Sequence, residues 1–93
     1  DINEHHMTSS ISQNYPNPFR TNTYIEFSLV RTDNITISIY DMSGKQITVI
    51  ADGNYHEGTH QIEWNASDVI AGHYFYTLKT SFGVISRKAC VIR

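Results

Sequence analysis

The chain has 93 residues, a formal net charge of −2 and one cysteine. A chain of this length forms one domain, its scattered Lys and Arg residues argue against nucleic acid as a partner, and one cysteine cannot close an internal disulfide. No apolar stretch approaches the roughly 18 residues of a membrane-spanning helix. Stability must come from packing, and Cys90, within an apolar run, is predicted to be a small buried residue.

The first 13 residues are polar and aperiodic and include the adjacent His5 and His6. We interpret residues 1–13 as a linker or an expression remnant and expect the folded domain over residues 14–93. Within this segment, Ile11 is the residue at which a short first strand could begin. The chain starts with neither an initiator Met nor a signal peptide, which indicates a piece of a larger protein.

Alternating apolar and polar residues predict strands over residues 23–29 and 34–40. Further β-prone runs follow at 45–50, 60–64, 73–80 and 84–93, and they are separated by Asp- and Gly-containing turns at 41–44, 52–54, 57–58, 68–72 and 81–83. No segment has helical periodicity. Six short strands, with a seventh near the start, predict an all-β fold, an immunoglobulin-like antiparallel β-sandwich of about seven strands. The predicted core comprises Ile25, Phe27, Leu29, Ile37, Ile39, Ile62, Trp64, Tyr76, Leu78 and Val91.

The sequence offers no pattern that predicts catalysis, a cofactor or a metal site. His56 and His60 have the spacing of a helical ligand pair, but on a strand they would be separated by about 13 Å. No strand-to-helix nucleophile elbow is present, and the carboxylates at predicted turns have a sufficient role in bonding nearby backbone N–H groups. The chain is therefore predicted not to be an enzyme.

The lead-in to the predicted sandwich is the segment YPNPF at residues 15–19. Its two prolines fix their own φ angles and disfavour helix at the residues before them, so the segment is stiff and extended. Other motifs follow in order: I-x-F-x-L at 25–29, I-x-I-Y-D-x-x-G-K at 37–45, G-x-H-x-I-x-W at 58–64, A-G-x-Y at 71–74 and a basic, apolar ending at 87–93. Taken together, residues 14–93 resemble the C-terminal sorting domain of the type IX (Por) secretion system, type A.

This resemblance implies a secretion and sorting signal at the end of a larger exported protein. The N-terminal cargo domain would cross the inner membrane first, and the outer-membrane translocon would then recognise the folded sorting domain in the periplasm. A sortase-like peptidase would remove the domain by cleavage among residues 1–13 and join the cargo to anionic lipopolysaccharide. The cargo would end at the cell surface or outside the cell, and the domain would act as a monomer. The resemblance implies translocon recognition by Pro16, Asn17, Pro18, Gly72, Tyr74, Lys88, Val91, Ile92 and Arg93.

Purely structural roles remain open for several of these residues. Pro16 and Pro18 also shape the lead-in, Gly72 the turn, and Tyr74 the core. For the last strand we hypothesise strand addition, in which an extended segment pairs with an exposed sheet edge of the partner. Arg93 stands where the family often has Lys, and Cys90 interrupts a branched run.

Two other classes of protein share parts of the pattern. An immunoglobulin-like module of the flagellar hook-cap kind would have the N-P-F lead-in and the Y-D-x-x-G-K hairpin, but it would lie inside its protein. A carbohydrate-binding module of a glycoside hydrolase would need two or three coplanar exposed aromatic side chains. Position in the precursor distinguishes the hook-cap module from a sorting domain. Affinity for polysaccharide distinguishes the carbohydrate-binding module from it.

Overall fold

A computed structural model describes residues 9–93 of the chain. Its strands are β1 (Ser10–Ile11), β2 (Asn22–Leu29), β3 (Asp33–Asp41), β4 (Gln46–Tyr55), β5 (Gly58–Asn65), β6 (Gly72–Thr80) and β7 (Gly83–Val91). They form a three-stranded sheet in the order β1-β2-β5 and a four-stranded sheet in the order β4-β3-β6-β7, with antiparallel neighbours throughout. The predicted seven-stranded sandwich is confirmed, including the short first strand at Ile11.

The two sheets bury the side chains that the alternation placed on one face of each strand. Nine of the ten predicted core residues are buried, and Ile62 is partly buried and packs against them. The core also contains Ile11, Phe19, Ala51 and Ala66, which the prediction did not include. Most of these come from short or interrupted apolar runs, where periodicity is weak. The core contains Ile35 and Ala89 as well, on the predicted faces of Ile37 and Val91, and Tyr74, for which a core role was one of the open alternatives.

Strand β4 differs from its prediction. The turn predicted at 52–54 is wrong, because β4 continues to Tyr55 and pairs there with β3. Asp52 accepts a hydrogen bond from Thr36 across the strands, and Gly53, with φ of 150°, stays in the ladder opposite Ile35. Cross-strand pairing therefore overrides local turn chemistry here. The reversal into β5 occurs at residues 56–57, directly before Gly58.

Cys90 is half-buried and not fully buried as predicted. Its neighbours Ala89 and Val91 face the core, so strand alternation turns Cys90 to the opposite side of the sheet. An apolar run at the end of a strand does not distinguish the two faces, and only the pairing of β7 with β6 does.

Residues 10–19, which we call the N-terminal strap, close the seam between the two sheets. Ile11 pairs with Phe27 of β2, and Tyr15 exchanges two backbone bonds of 2.9 Å with Tyr24. On the other side of the seam, the strap binds β7, since the O of Ile11 accepts a bond from Nε of Arg87 at 2.6 Å. Residues 10–13 are thus part of the sandwich, inside the segment interpreted as a linker.

Candidate recognition site

One end of the sandwich brings together segments that are more than 70 positions apart in sequence. Oδ1 of Asn17 accepts a hydrogen bond from N of Cys90 at 3.0 Å. The backbone of Phe19 bonds Cys90 O at 3.1 Å and Ile92 N at 2.8 Å, forming a parallel bridge to Val91. We call this end, formed by residues 15–19, 66–72 and 90–93, the terminal pole.

Arg93 joins the terminal pole to two loops. Its guanidinium donates from Nη2 to the carbonyls of Ala66 and Val69, and from Nη1 to the carbonyl of Arg20. The Ala66 contact measures 2.7 Å. Because a guanidinium offers five donors in a planar fork, one side chain can bind carbonyls from separate segments at once. The last residues of the chain are thereby held against the sandwich.

An aromatic cluster lies directly beneath the terminal pole. Phe19 meets the edge of Trp64 with ring centroids 5.3 Å apart, and Tyr74 meets Trp64 at 5.7 Å. The hydroxyl of Tyr74 donates to the carbonyl of Ile70 at 2.6 Å. Such edge-to-face contacts add to the burial of the rings and fix their orientation. The cluster makes the pole a rigid surface.

The terminal pole carries the two most exposed large apolar side chains of the described residues. Tyr15 is 79% exposed and Ile70 is 81% exposed, and Ile92 is also exposed. Pro16 and Pro18 lie between these residues at the surface. Exposed apolar residues gathered at one place mark a surface on which another protein docks.

The predicted recognition residues divide by burial. Six are exposed, namely Pro16, Asn17, Pro18, Lys88, Ile92 and Arg93. Gly72 is half-buried and pairs with Val91, and both Val91 and Tyr74 lie in the core. All except Tyr74 and Lys88 lie at the terminal pole. Tyr74 belongs to the aromatic cluster beneath it, and Lys88 lies two residues before Cys90 in β7. A partner can therefore contact the exposed set directly, whereas Tyr74 and Val91 shape the surface from below.

The hypothesis that the last residues form a free strand edge needs correction. Strand β7 lies at the edge of its sheet, as expected, but the outward backbone groups of Cys90 and Ile92 are already bonded to Asn17 and Phe19. Strand addition at this point would first have to remove the strap. At the terminal pole the exposed groups are side chains, because the outward backbone groups of Cys90 and Ile92 are already bonded.

Two polar contacts, one part-buried and one exposed, hold the strap in position. The hydroxyl of Tyr76 donates to O of Ser12 at 2.7 Å, and burial raises the pKa of this phenol. Nε2 of Gln13 donates a hydrogen bond to the carbonyl O of Lys88. Both contacts bind the strap to the four-stranded sheet.

The described part of the chain carries no cluster of three or more His, Cys, Asp or Glu side chains that could hold a metal. His60 stacks on Phe27 at 5.2 Å, and its Nε2 lies 2.7 Å from the backbone O of His56. This histidine thus packs in the sandwich. Among residues 9–93 there is also no helix with the length and apolarity of a membrane span.

Two exposed residues of the terminal pole, Ile70 and Tyr15, were not among the predicted recognition residues. Ile70 falls in a predicted turn, and Tyr15 is the first residue of the lead-in segment YPNPF. An isolated Ile in a turn is consistent with either burial or exposure. Only the position of the 66–72 loop against Arg93 shows that Ile70 faces outward.

Comparison with known proteins agrees with this arrangement. The model of the secretion system C-terminal sorting domain family matches residues 13–92, nearly the whole chain. A search of the curated proteins found no match. The family match supports neither the hook-cap module nor the carbohydrate-binding module, and the family is one of sorting signals rather than enzymes. The chain therefore belongs to the family of C-terminal sorting domains that direct proteins to export by the type IX secretion system.

Proposed function

We propose that the outer-membrane translocon recognises this domain, folded and monomeric in the periplasm, at the terminal pole. The observation that carries the proposal is the set of hydrogen bonds that join Asn17 and Phe19 to the end of the chain at Cys90 and Ile92. These bonds bring the recognition candidates of the lead-in and those of the C-terminal end into one surface. Folding is then a condition of recognition, because an unfolded chain would separate the two parts. The sorting signal is a surface and not a linear tag.

The contacts in this recognition would come from the exposed residues. Pro16, Asn17 and Pro18 present a rigid ridge, while Ile92 and Arg93 present the end of the chain. Recognition by apolar side chains in a rigid frame costs little conformational entropy. Gly72, Tyr74 and Val91 act as supports of this surface, and Lys88 extends it along β7.

Ser10, at which the first strand begins, and the terminal pole lie at opposite ends of β2. Ser10 pairs with Ser28 near the far end of β2, whereas Asn22 at the other end of that strand pairs with Asn65, next to the Arg93 contacts. Six residues of strand separate Ser28 from Asn22, a distance of about 20 Å. The translocon could thus hold the pole while the cargo junction remains accessible.

A sortase-like peptidase would cut the cargo from the domain before Ser10. Ile11 is buried, and Ser12 donates its N–H to O of Glu26 at 2.7 Å, so peptide bonds from residue 10 onward are protected within the sandwich. Mass spectrometry of the released domain should find Ser10 and all later residues intact. A released domain that starts within residues 11–19 would contradict this position of the cut.

The terminal pole can be tested with a matched pair of isoleucines. Ile92 is 39% exposed at the pole, and Ile47 is 37% exposed on β4, at the opposite edge of the same sheet. We expect Ile92→Asp to block export of a fluorescent reporter fused before residue 1, in a host with the type IX secretion system. The control Ile47→Asp should leave export unchanged.

These variants are sharper than a deletion of residues 91–93. Val91 is a core residue, so its loss would unfold the domain whatever the translocon recognises. Thermal unfolding of both purified variants checks that they fold equally well. Equal export of Ile92→Asp and Ile47→Asp would reject the terminal pole, and retention of the unmodified fusion in the periplasm would reject the sorting function of this chain.

A further inference from the structure

Positive charge is concentrated in the last quarter of the chain. All nine Asp and Glu residues lie at or before Asp68, although the chain as a whole is acidic. After that position come four basic residues and no acidic one: Lys79, Arg87, Lys88 and Arg93. Three of them lie on the β6–β7 hairpin, which forms one edge of the four-stranded sheet. This edge is therefore basic, although residues 9–93 together hold equal numbers of acidic and basic residues.

The outer edge of β7 is covered over only part of its length. N and O of Cys90 point away from β6, because they bond Asn17 and Phe19. Backbone direction repeats every two residues along a strand, so the N and O of Val84, Ser86 and Lys88 point the same way. The O of Lys88 is bonded to Gln13.

Within the described residues, no backbone–backbone hydrogen bond joins the strap to β7 before Cys90, and the one hydrogen bond between them before Lys88 runs from Nε of Arg87 to O of Ile11. The pairing of β7 with β6 is continuous, without a bulge, so the uncovered stretch is straight and regular. Val84 is 59% exposed in this stretch. Along residues 84–88, the outward N and O of Val84 and Ser86 and the N of Lys88 have no hydrogen-bond partner among the described residues, whereas O of Lys88 is bonded to Gln13. We call this stretch the open half of β7.

The other sheet edges are less suitable for an added strand. Strand β4 has register shifts at two places, and such bulges disrupt a neighbouring ladder. Strand β1 has only two residues. Strand β5 is regular, but it carries Glu63 and no Lys or Arg. Natural proteins block long, regular edges, so an unblocked one is expected to have a partner.

We propose that the open half of β7 is a docking edge for an extended, acidic segment of a partner protein, which adds to the sheet as a further strand. The backbone groups of residues 84–88 would supply the interstrand hydrogen bonds. Lys88 would face an acidic side chain of the partner, and Val84 would face an apolar one. The inference rests on the proposed function. The open half of β7 would be a second contact site for the export machinery, separate from the terminal pole.

Charge separates this occupant from a second copy of the chain. Strand β7 of a second copy carries no acidic residue, so pairing of two β7 strands would leave Lys88 without an acidic cross-strand partner. The chain's own residues 1–8 include Asp1 and Glu4 and are the other acidic candidate. Both occupants are separate outcomes of the test below.

A proline at the centre of the open half tests the edge itself. The N–H of Ser86 points outward, so Ser86→Pro removes a donor that the pairing with β6 does not use and obstructs an incoming strand. Export of the reporter fusion should fall by about tenfold or more, the effect of losing one or two interstrand bonds. Ser86→Ala, which keeps the N–H, should export normally.

A charge reversal keeps the test valid if the proline variant fails to fold. Lys88→Glu should reduce export in the same way, whereas Lys45→Glu, on the exposed β3–β4 turn, should not. Thermal unfolding of each variant confirms folding. Normal export of a folded Ser86→Pro variant and of Lys88→Glu would overturn the docking edge, even if the unmodified fusion is exported and the sorting function holds.

Crosslinking identifies the occupant directly. A photoreactive amino acid at position 84 in the full chain should form an adduct with an acidic segment of another protein during export, and mass spectrometry of the adduct gives that sequence. An adduct with a second copy of this chain would overturn the proposal. So would an adduct with residues 1–8, and a fusion that begins at Ser9 should keep the expected adduct.

Discussion

Asn14 and Thr23 form a buried polar pair that holds the N-terminal strap to β2. Nδ2 of Asn14 donates to O of Pro16 at 3.2 Å and to Oγ1 of Thr23 at 3.0 Å. The hydroxyl of Thr23 donates to the same Pro16 carbonyl at 2.8 Å. Asn14 is 2% exposed and Thr23 is fully buried. Because water cannot replace the lost partners there, removing either side chain should destabilise the domain more than removing a surface hydrogen bond.

The expected size follows from the bonds lost. Asn14→Ala removes three bonds, the two that Nδ2 donates and one that Oδ1 accepts from Nε2 of Gln13. Each is worth about 0.5–1.5 kcal/mol, and Oγ1 of Thr23 is left without that donor, so the free energy of unfolding should fall by about 2–3 kcal/mol. A domain of this length has about 5–14 kcal/mol in total. Thr23→Val should cost a similar amount. The double variant loses the shared bond only once, so the sum of the single effects should exceed the double effect by about 0.5–1.5 kcal/mol.

Urea unfolding followed by fluorescence measures these differences, since Trp64 is the single tryptophan and is 2% exposed. With a denaturant slope of about 1 kcal/mol/M, Asn14→Ala should lower the urea midpoint by about 2 M. The control is Asn54→Ala at an exposed position, which should stay within about 0.5 kcal/mol of the unmodified domain. An unchanged midpoint for Asn14→Ala, or strictly additive effects in the double variant, would refute the reasoning.

Three further perturbations test other parts of the structure. Phe19→Ala removes a core side chain from the terminal pole and should lower the free energy of unfolding by about 3–5 kcal/mol, measured by chemical denaturation. Hydrogen bonds from Ser43 hold the pKa of Asp41 below its usual value of 3.8. The stability from this carboxylate is therefore present above that value and is lost as the pH falls through the lowered pKa of the folded state. Asp41→Ala should thus lower the melting temperature at neutral pH and have a smaller effect near about pH 2. Tyr76→Phe removes the bond to Ser12, and we expect a loss of about 1 kcal/mol and faster amide exchange in the strap.

These results would be contradicted by specific outcomes. An unfolding free energy for Phe19→Ala within about 0.5 kcal/mol of the unmodified domain would mean that the strap is not part of the core. A melting-temperature difference for Asp41→Ala that is the same at neutral and acidic pH would deny the role of its charge. Unchanged exchange in the strap of Tyr76→Phe would show that the Ser12 contact does not hold it.

The sandwich was predictable from sequence because each strand encodes its own faces. Alternation at Ile25, Phe27 and Leu29 identifies the buried side without knowledge of any partner strand. The turn at 41–44 was predictable for a similar reason, since Oδ1 of Asp41 accepts bonds from N of Ser43 and N of Lys45. The predicted turn at 52–54 failed because a local signal competed with pairing to β3, which no local pattern reports.

The candidate site was predictable only as separate parts. Motif resemblance identified Asn17 and Arg93 in advance, but nothing in the sequence places the amide of Asn17 beside Cys90 or the guanidinium of Arg93 on the carbonyl of Ala66. The resemblance also could not tell that Tyr74 is buried and Ile70 exposed.

The sequence by itself determined the strands, the identity of most core residues and the kind of protein, because period-two alternation, turn chemistry and ordered motifs are properties of short segments. Only the tertiary structure decided which strands meet and what covers the edge of β7. Those contacts join residues such as Phe19 and Val91 across the whole chain. Their formation depends on the closure of two sheets around one core, and no single segment contains that information.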